Sequence, residues 1–137
     1  MTYRTEIMII NSDSKEISEV ELFLKDIFKK NYLPDKAFKN VLLCVSEAIM
    51  NSIFHGNRNN ISKKVTIKVS CINRKSLIIE VRDEGHGFDY NNVDDPTSDK
   101  NIKKESGRGL FIINSICKTM EFEDDGRCIK INIDLSE

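Results

Sequence analysis

Glu47, Asn51 and His55 stand at four-residue steps in one stretch of the sequence. Residues four apart lie on the same face of a helix, so these side chains would form a single polar stripe. Asn51 could bind a cation through its amide oxygen, because Mg²⁺ takes oxygen ligands and keeps several waters. Glu47, one turn earlier, could orient a nucleophile or take its proton. The alternative is an ordinary solvated stripe, and we expect His55 and His86 to serve structure at the ends of elements.

Glycines mark two further places where the backbone could approach a ligand closely. In Asp83-Glu84-Gly85-His86-Gly87, an acidic residue at the end of a strand pattern is followed by two glycines. The glycines let the chain fold sharply, which would leave Asp83 pointing into a cavity. In Gly107-Arg108-Gly109, glycines open a helix pattern, where free N–H groups and the helix dipole favour an anion such as phosphate. Taken alone, the first motif is also typical of a flexible turn and the second of a simple hinge.

Three helices are predicted to position these residues. Apolar residues at three- and four-residue steps indicate one helix from residue 14 to about 32 and another from 34 to about 54. A third is expected from about residue 107 to 119. The second helix would hold the polar stripe, and the third would begin at the glycines.

A β-favouring apolar run predicts a strand over residues 3–10, and alternating apolar and polar residues predict strands over 65–71, 77–82 and 128–135. A further strand is expected over residues 121–123. The second and third would pair as a hairpin through residues 73–76, and the last two would join at Asp125-Gly126. Since three strands have one apolar face and each helix has one apolar stripe, the simplest architecture is a two-layer α/β (α+β) sandwich. The three helices would cover one face of a mixed, mostly antiparallel sheet.

Residues 88–106 contain almost no apolar side chains but include Pro96 and several Asp, Asn and Lys residues. The segment is too long for a plain connection, which predicts a mobile functional loop.

Length and composition limit the class of protein. The 137 residues suit a single domain over residues 1–137, and 39% hydrophobic with 31% charged residues indicates a folded chain. The formal net charge of −1 lacks the basic excess of a duplex-binding module, so nucleic acid is not expected as a direct partner.

The sequence contains no apolar run near the roughly 20 residues of a membrane span, and its start lacks a signal-peptide pattern. We therefore expect a cytoplasmic protein with no membrane partner. The four cysteines form no Cys-x-x-Cys pair and lie in apolar segments, which predicts small buried hydrophobic residues and no thiolate metal site.

In chain order, these features are a helix carrying Glu and Asn, a hairpin ending in Asp-x-Gly-x-Gly, a polar loop, and Gly-x-Gly at a helix start. The combination resembles the ATP-binding domain of the GHKL superfamily, which includes gyrase, histidine-kinase and mismatch-repair ATPases. Residues 47–57 look like its N box, 83–87 like its first glycine box and 107–112 like its second glycine box. In wording and length the chain is most similar to the anti-sigma-factor serine kinases of bacterial partner-switching systems. The resemblance covers nearly the whole chain and implies a Bergerat-type ATP-binding fold.

The resemblance assigns roles to the polar residues of these boxes. Asp83 would accept a hydrogen bond from the adenine amino group and so distinguish adenine from guanine. Asn51 would bind the Mg²⁺ that bridges the phosphates of ATP. Glu47 would be the general base that activates a protein serine hydroxyl or a water.

The glycine boxes would enclose the two ends of the nucleotide. Gly85 and Gly87 would shape the adenine end, while Gly107, Arg108 and Gly109 would bind phosphate under a lid formed by residues 88–106. The candidates for neutralising phosphate charge are Lys100, Lys103, Lys104 and Arg108.

One departure from the family pattern lies before the last strand. Family members often have Gly-Thr or Gly-Thr-Thr there, with a threonine supporting the adenine site, whereas Gly126 is followed by Arg127 and Cys128. The replacement is expected to alter the network on the adenine side.

The resemblance implies a cytoplasmic anti-sigma-type regulator with ATP and Mg²⁺ as cofactors. It would phosphorylate a serine or threonine of an anti-anti-sigma protein and sequester a sigma factor or similar regulator, and a homodimer is implied by family analogy alone. The alternative is a nucleotide-dependent binding module of the same fold without kinase activity. A detached catalytic domain of a histidine kinase fits less well, because the only histidines are His55 and His86, inside the boxes.

Overall fold

The computed structural model describes residues 3–85 and 105–135. The predicted lid lies outside the described residues except for its last two positions, Glu105 and Ser106. Gly87, His86 and the three candidate lysines of the lid also lie outside them.

The sheet has five strands: β1 (Tyr3–Asn11), β2 (Lys64–Ile72), β3 (Ser76–Arg82), β4 (Thr119–Glu123) and β5 (Cys128–Asp134). Their spatial order is β1-β2-β3-β5-β4, and all four pairings between these strands are antiparallel. The mostly antiparallel sheet is therefore confirmed, and the described strands include no parallel pair. β2 and β3 pair as the predicted hairpin, and β4 joins β5 at the predicted turn.

Three α-helices are described: α1 (Ile17–Lys30), α2 (Phe38–Asn51) and α3 (Glu105–Ile116). Short 3₁₀ turns, Ser14–Glu16 and Asp35–Ala37, lead into α1 and α2. The Asp13 carboxylate caps the first of these turns by accepting a hydrogen bond from the Lys15 N–H at 3.0 Å. A π-helical turn, Ser52–Gly56, continues α2 beyond Asn51.

The core lies between the helices and one face of the sheet. Alternate residues of the central strands are fully buried there, because successive strand side chains point to opposite faces. Val41, Val45, Ala48 and Ile49 of α2 are fully buried in the same core cluster. This arrangement confirms the two-layer sandwich with helices on one face.

The third helix differs from its predicted bounds at both ends. It begins at Glu105, two residues before Gly107, so the glycines lie within its first turns. It ends at Ile116, whereas the prediction extended it to Thr119. The Lys118 N–H already donates to the Asn132 carbonyl at 2.7 Å, so the chain has joined the sheet by this point.

One described segment, Asp35–Gly56, is long and apolar enough to cross a membrane by length and composition. The expectation that no apolar run approaches this length is therefore wrong. Core helices of globular proteins meet the same criterion, and the buried stripe of α2 accounts for the apolar composition of this segment.

All four cysteines lie in the described part of the chain and are free thiols. Cys44, Cys71 and Cys128 are buried, as predicted, while Cys117 is half-buried. Burial raises the pKa of Cys44 to about 12 and that of Cys128 to about 11, so both remain protonated at neutral pH.

Candidate functional site

The end of α2 widens into the π-helical turn at the end of the N box. The Asn57 N–H donates to the Ser52 carbonyl, five residues back, at 2.7 Å, where an α-helix would use the carbonyl four residues back. The π-helical turn ends at Gly56, close to the predicted helix end at about residue 54. The wider turn places Gly56 against the first glycine box.

Two glycines are required by the close approach of the N box to the first glycine box. A Cβ at Gly56 would lie 2.1 Å from Asp83 Oδ2, and a Cβ at Gly85 would lie 2.1 Å from the Gly56 carbonyl oxygen. Neither side chain can exist without moving the backbone or the carboxylate. The predicted close backbone approach at Gly85 is thus present, and its neighbour is Gly56.

Asp83 follows β3 and is only 7% exposed. Its Oδ1 accepts a hydrogen bond from the Gly85 N–H at 2.8 Å, and its Oδ2 lies over Gly56. Burial raises the pKa of this carboxyl above its ordinary value, because the low-dielectric surroundings disfavour the charged form. The Gly85 N–H and the positive charges of Arg127, Arg82 and Lys63 oppose the rise in pKa.

Asn57 connects three segments around this carboxylate, and sequence reasoning gave it no role. The side chain is 1% exposed, and its Nδ2 donates to Ser12 Oγ at 2.8 Å and to the Lys64 carbonyl at 3.0 Å. Its Oδ1 accepts a hydrogen bond from the Glu84 N–H at 2.8 Å. An asparagine directly after a helix-ending glycine is the only local signal of this role, and it does not identify the partners.

The side chain of Glu47, on α2, lies against the first turns of α3. A Cβ at Gly109 would be 3.0 Å from Glu47 Oε2, closer than ordinary van der Waals contact, so α3 approaches the glutamate through a residue without a side chain. Gly107 and Gly109 are buried, whereas Arg108 is exposed. Gly107 is the third residue of α3, and the N–H groups of the first three helical residues have no carbonyl four residues back within the helix.

Asn51 lies between these two contacts, on the last turn of α2, and both Asn51 and Glu47 are half-buried. Glu47 and Gly56 are nine residues apart, which corresponds to roughly 13 Å along a helix. The same segment therefore contacts the second glycine box at one end and the first glycine box at the other. His55 lies in the π-helical turn and is exposed.

Comparison with known proteins identifies the architecture. The family described as "Histidine kinase-like ATPase domain" matches residues 10–133 of the sequence. The chain belongs to this family. No curated protein matches the sequence.

Two solved structures have the same fold as this histidine kinase-like ATPase domain. The "Erythrobacter litoralis EL346 blue-light activated histidine kinase" is 21% identical, with a TM-score of 0.55, and the match covers 76% of this chain and 32% of that one. The "Histidine kinase domain" from the same protein is 17% identical, with a TM-score of 0.54, and the match covers 96% of this chain and 67% of that one. The present chain thus spans about a third of the length of the first structure.

Membership in the family supports ATP binding and, in general terms, a kinase or ATPase activity. It also agrees with the GHKL-type resemblance noted from the sequence. The likeness to the two histidine kinase structures, at these identities, shows the fold alone.

Within the ATPase domain, the structure brings the predicted site residues into two clusters joined by α2. Gly109 of the second glycine box lies against Glu47, and Gly56 lies against Asp83 and Gly85. Asn51 lies between the clusters on α2, and residues 107–108 lie beside Gly109 at the start of α3. The roles of all these residues in nucleotide binding and catalysis remain predictions.

The ATPase domain also has a contact at the position where it departs from the family pattern. Arg127 Nε donates to the Gly85 carbonyl at 2.9 Å, and the Arg127 carbonyl accepts from the Asp83 N–H at 2.9 Å. The sequence marked this position as unusual but gave no indication that its side chain reaches the first glycine box.

Proposed function

We propose that this domain binds Mg²⁺·ATP along α2 and transfers the γ-phosphate to a serine or threonine of a protein partner. The observation that carries the proposal is the contact between Glu47 and Gly109. It supports a carboxylate base at the helix start where phosphate would bind. The first glycine box, at the other end of the same segment, would bind the adenine ring.

The adenine end is supported by the surroundings of Asp83. Its Oδ1 accepts from the Gly85 N–H, and its Oδ2 lies over Gly56. An ionised carboxylate is purely a hydrogen-bond acceptor, so it suits the exocyclic amino group of adenine. Guanine presents a carbonyl at the corresponding position, and two acceptors facing each other repel. The site would therefore favour adenine nucleotides.

The phosphate end is supported by the first turns of α3. Unpaired N–H groups and the helix dipole attract anions, and Gly107 and Gly109 allow close approach. The half-buried Asn51 offers an amide oxygen, which fits the ligand preference of Mg²⁺. When bound, Mg²⁺ would neutralise charge on the phosphate oxygens. The exposed Arg108 is the candidate cation among the described residues for the same purpose.

Glu47 would act as the general base. It would take the proton of the acceptor hydroxyl while the hydroxyl oxygen bonds to the γ-phosphorus and the bond to ADP breaks. Its approach to Gly109 would hold the carboxylate at the helix start. A module that only bound nucleotide would need no base at this place.

By resemblance, we infer a cytoplasmic anti-sigma-type regulator whose phosphorylated partner is an anti-anti-sigma protein. The same domain would sequester a sigma factor or similar regulator, and a homodimer is inferred from the family alone. The second candidate is a nucleotide-dependent binding module without kinase activity. The position of Glu47 favours the kinase.

The Glu47→Gln variant tests the proposal, because it removes the base while keeping the size of the side chain. With Mg²⁺·ATP and an anti-anti-sigma protein, we expect the phosphoserine or phosphothreonine yield, measured by mass spectrometry, to fall roughly 100-fold or more. Affinity for Mg²⁺·ADP, measured by calorimetry, should change little. Glu21→Gln is the matched control, since Glu21 is a helix glutamate that forms an exposed ion pair with Lys25 at 3.2 Å.

Undiminished transfer by Glu47→Gln would refute the role of Glu47. Nucleotide binding without transfer by the wild type would favour the binding module. Acid-labile phosphate on a histidine of a partner domain would instead assign the chain to a histidine kinase.

A further inference from the structure

Arg127 holds the first glycine box from two sides. Its carbonyl accepts the Asp83 N–H at 2.9 Å, and its Nε donates to the Gly85 carbonyl at 2.9 Å. The residues on both sides of Glu84 therefore both bond to one arginine, which lies 42 residues beyond Gly85 in the chain. Only the bond from the guanidinium Nε is charge-assisted, which places it among the stronger hydrogen bonds in proteins, and only this bond depends on the arginine side chain.

The guanidinium of Arg127 is itself fixed by the β4–β5 turn. Its Nη1 lies 3.4 Å from Asp124 Oδ1 and 3.7 Å from Asp125 Oδ2, and it also donates to the Asp124 carbonyl at 3.3 Å. Asp124, Asp125 and Gly126 have φ of 51°, 55° and 86°, in the left-handed region that this tight turn requires. The side chain thus connects the β4–β5 turn to the loop that presents Asp83.

Charge reinforces this geometry. The positive charges of Arg127, Arg82 and Lys63 act on the buried Asp83 carboxylate. Each cation favours the ionised carboxylate and so lowers its pKa, against the rise caused by burial. Arg127 alone among these three also donates to the backbone of the first glycine box in the described structure.

We propose that Arg127 is a positioning residue that determines base selectivity, because its Nε–H holds the Asp83–Gly85 turn in place beside the adenine site. It would take over the support of the adenine site at the position where the family pattern has threonine. The inference rests on the proposed function, because it assumes that Asp83 contacts the base. Loss of Arg127 would weaken binding of adenine nucleotides and leave the phosphate end intact.

The test measures the affinities for Mg²⁺·ADP and Mg²⁺·GDP by calorimetry between pH 5 and 8. For Arg127→Met, we expect ADP affinity at pH 7 to fall about tenfold or more, as for loss of a charge-assisted hydrogen bond. GDP affinity should change little, so base selectivity falls. The pH below which ADP affinity declines should move upward, because Asp83 then protonates at a higher pH.

Two variants separate charge from geometry. Arg127→Lys keeps the charge without the fixed Nε–H donor, so it should restore the pH dependence but only part of the affinity. Arg82→Met removes a cation that pairs with Asp124 at 2.6 Å and has no hydrogen bond to Gly85 in the described structure. Arg82→Met should cause a smaller loss of ADP affinity and a smaller upward shift of the pH below which that affinity declines. Thermal melting of each variant identifies any that fail to fold.

A carboxyl NMR titration of Asp83 without nucleotide keeps this inference separate from the proposed function. A higher titration midpoint in Arg127→Met than in Arg82→Met shows that Arg127 acts on Asp83, and this readout does not depend on nucleotide binding, so failure of the proposed function alone leaves it unchanged. Equal midpoints, or an unchanged ratio of ADP to GDP affinity in a folded Arg127→Met protein, would overturn it. If Arg127→Met does not fold, the ratio of ADP to GDP affinity is compared between Arg127→Lys and Arg82→Lys, and an equal ratio in the two variants would overturn the role of Arg127.

Discussion

At the scale of single residues, burial of the ionised Asp83 carboxylate lowers the free energy of unfolding at neutral pH, although the same carboxylate is the group proposed to select adenine. The carboxyl is nearly buried, and burial raises its pKa above the ordinary value of 3.8. The folded protein therefore holds the proton more strongly than the unfolded chain does. The stability contributed by this group is complete below the unfolded pKa and is lost as the pH rises through the folded pKa.

The Asp83→Asn variant should consequently be at least as stable as the wild type at pH 7 in the absence of nucleotide. The amide oxygen can still accept the Gly85 N–H, and no charge is buried. The difference in melting temperature should shrink as the pH falls and disappear below about pH 4, where the wild-type carboxyl is protonated. Asp26→Asn, at an exposed helix position, is the control. A variant less stable than the wild type by the same amount at every pH would contradict the sign of this argument.

At the scale of elements, α2 and its π-helical turn set the distance between the two glycine boxes. The turn presses Gly56 onto Asp83, while an earlier turn of α2 presses Glu47 onto Gly109 of α3. Both contacts exclude a side chain but differ in what must move. At Gly56 a new Cβ would meet the buried carboxylate, whereas at Gly109 it would meet the far end of a glutamate side chain.

Alanine variants at these two glycines should therefore differ in how much folding stability they lose. Gly56→Ala should lower the free energy of unfolding by about 1–3 kcal/mol, as overpacking does, and abolish ADP binding. Gly109→Ala should cost less stability, because the glutamate can rotate, yet reduce phosphate transfer by displacing the base. Chemical denaturation and transfer assays on both variants provide the comparison. Equal losses of stability would show that the flexible glutamate does not relieve the contact.

At the scale of the whole molecule, the local patterns predicted the layers but not the links between them. The alternation of Val65, Ile67 and Val69 identified a half-buried strand, because burial on one face leaves a period of two. The spacing of apolar residues in α2 identified its buried face in the same way. Both patterns depend only on residues that are close in sequence, so they can be recognised without knowledge of the fold.

The long-range contacts of the site were not predictable in this way. Asn57 reaches Ser12, which is 45 residues away, and Arg127 reaches Gly85, which is 42 residues away. The spacing of apolar residues does not indicate which backbone N–H and carbonyl groups will need a side-chain partner when distant segments come together. The end of α3 at Ile116 was also missed, because the competing hydrogen bond from Lys118 belongs to the sheet.

The central claim is that the joined clusters along α2 form an adenine nucleotide site, and nucleotide-dependent melting tests it most directly. At about 100 times its dissociation constant, Mg²⁺·ADP should stabilise the folded protein by about 2.7 kcal/mol, raising the melting temperature on the order of 10 °C. Mg²⁺·GDP should have little effect, and Asp83→Asn should lose the response to ADP. Equal shifts with ADP and GDP, or no shift with either at millimolar concentration, would contradict the account.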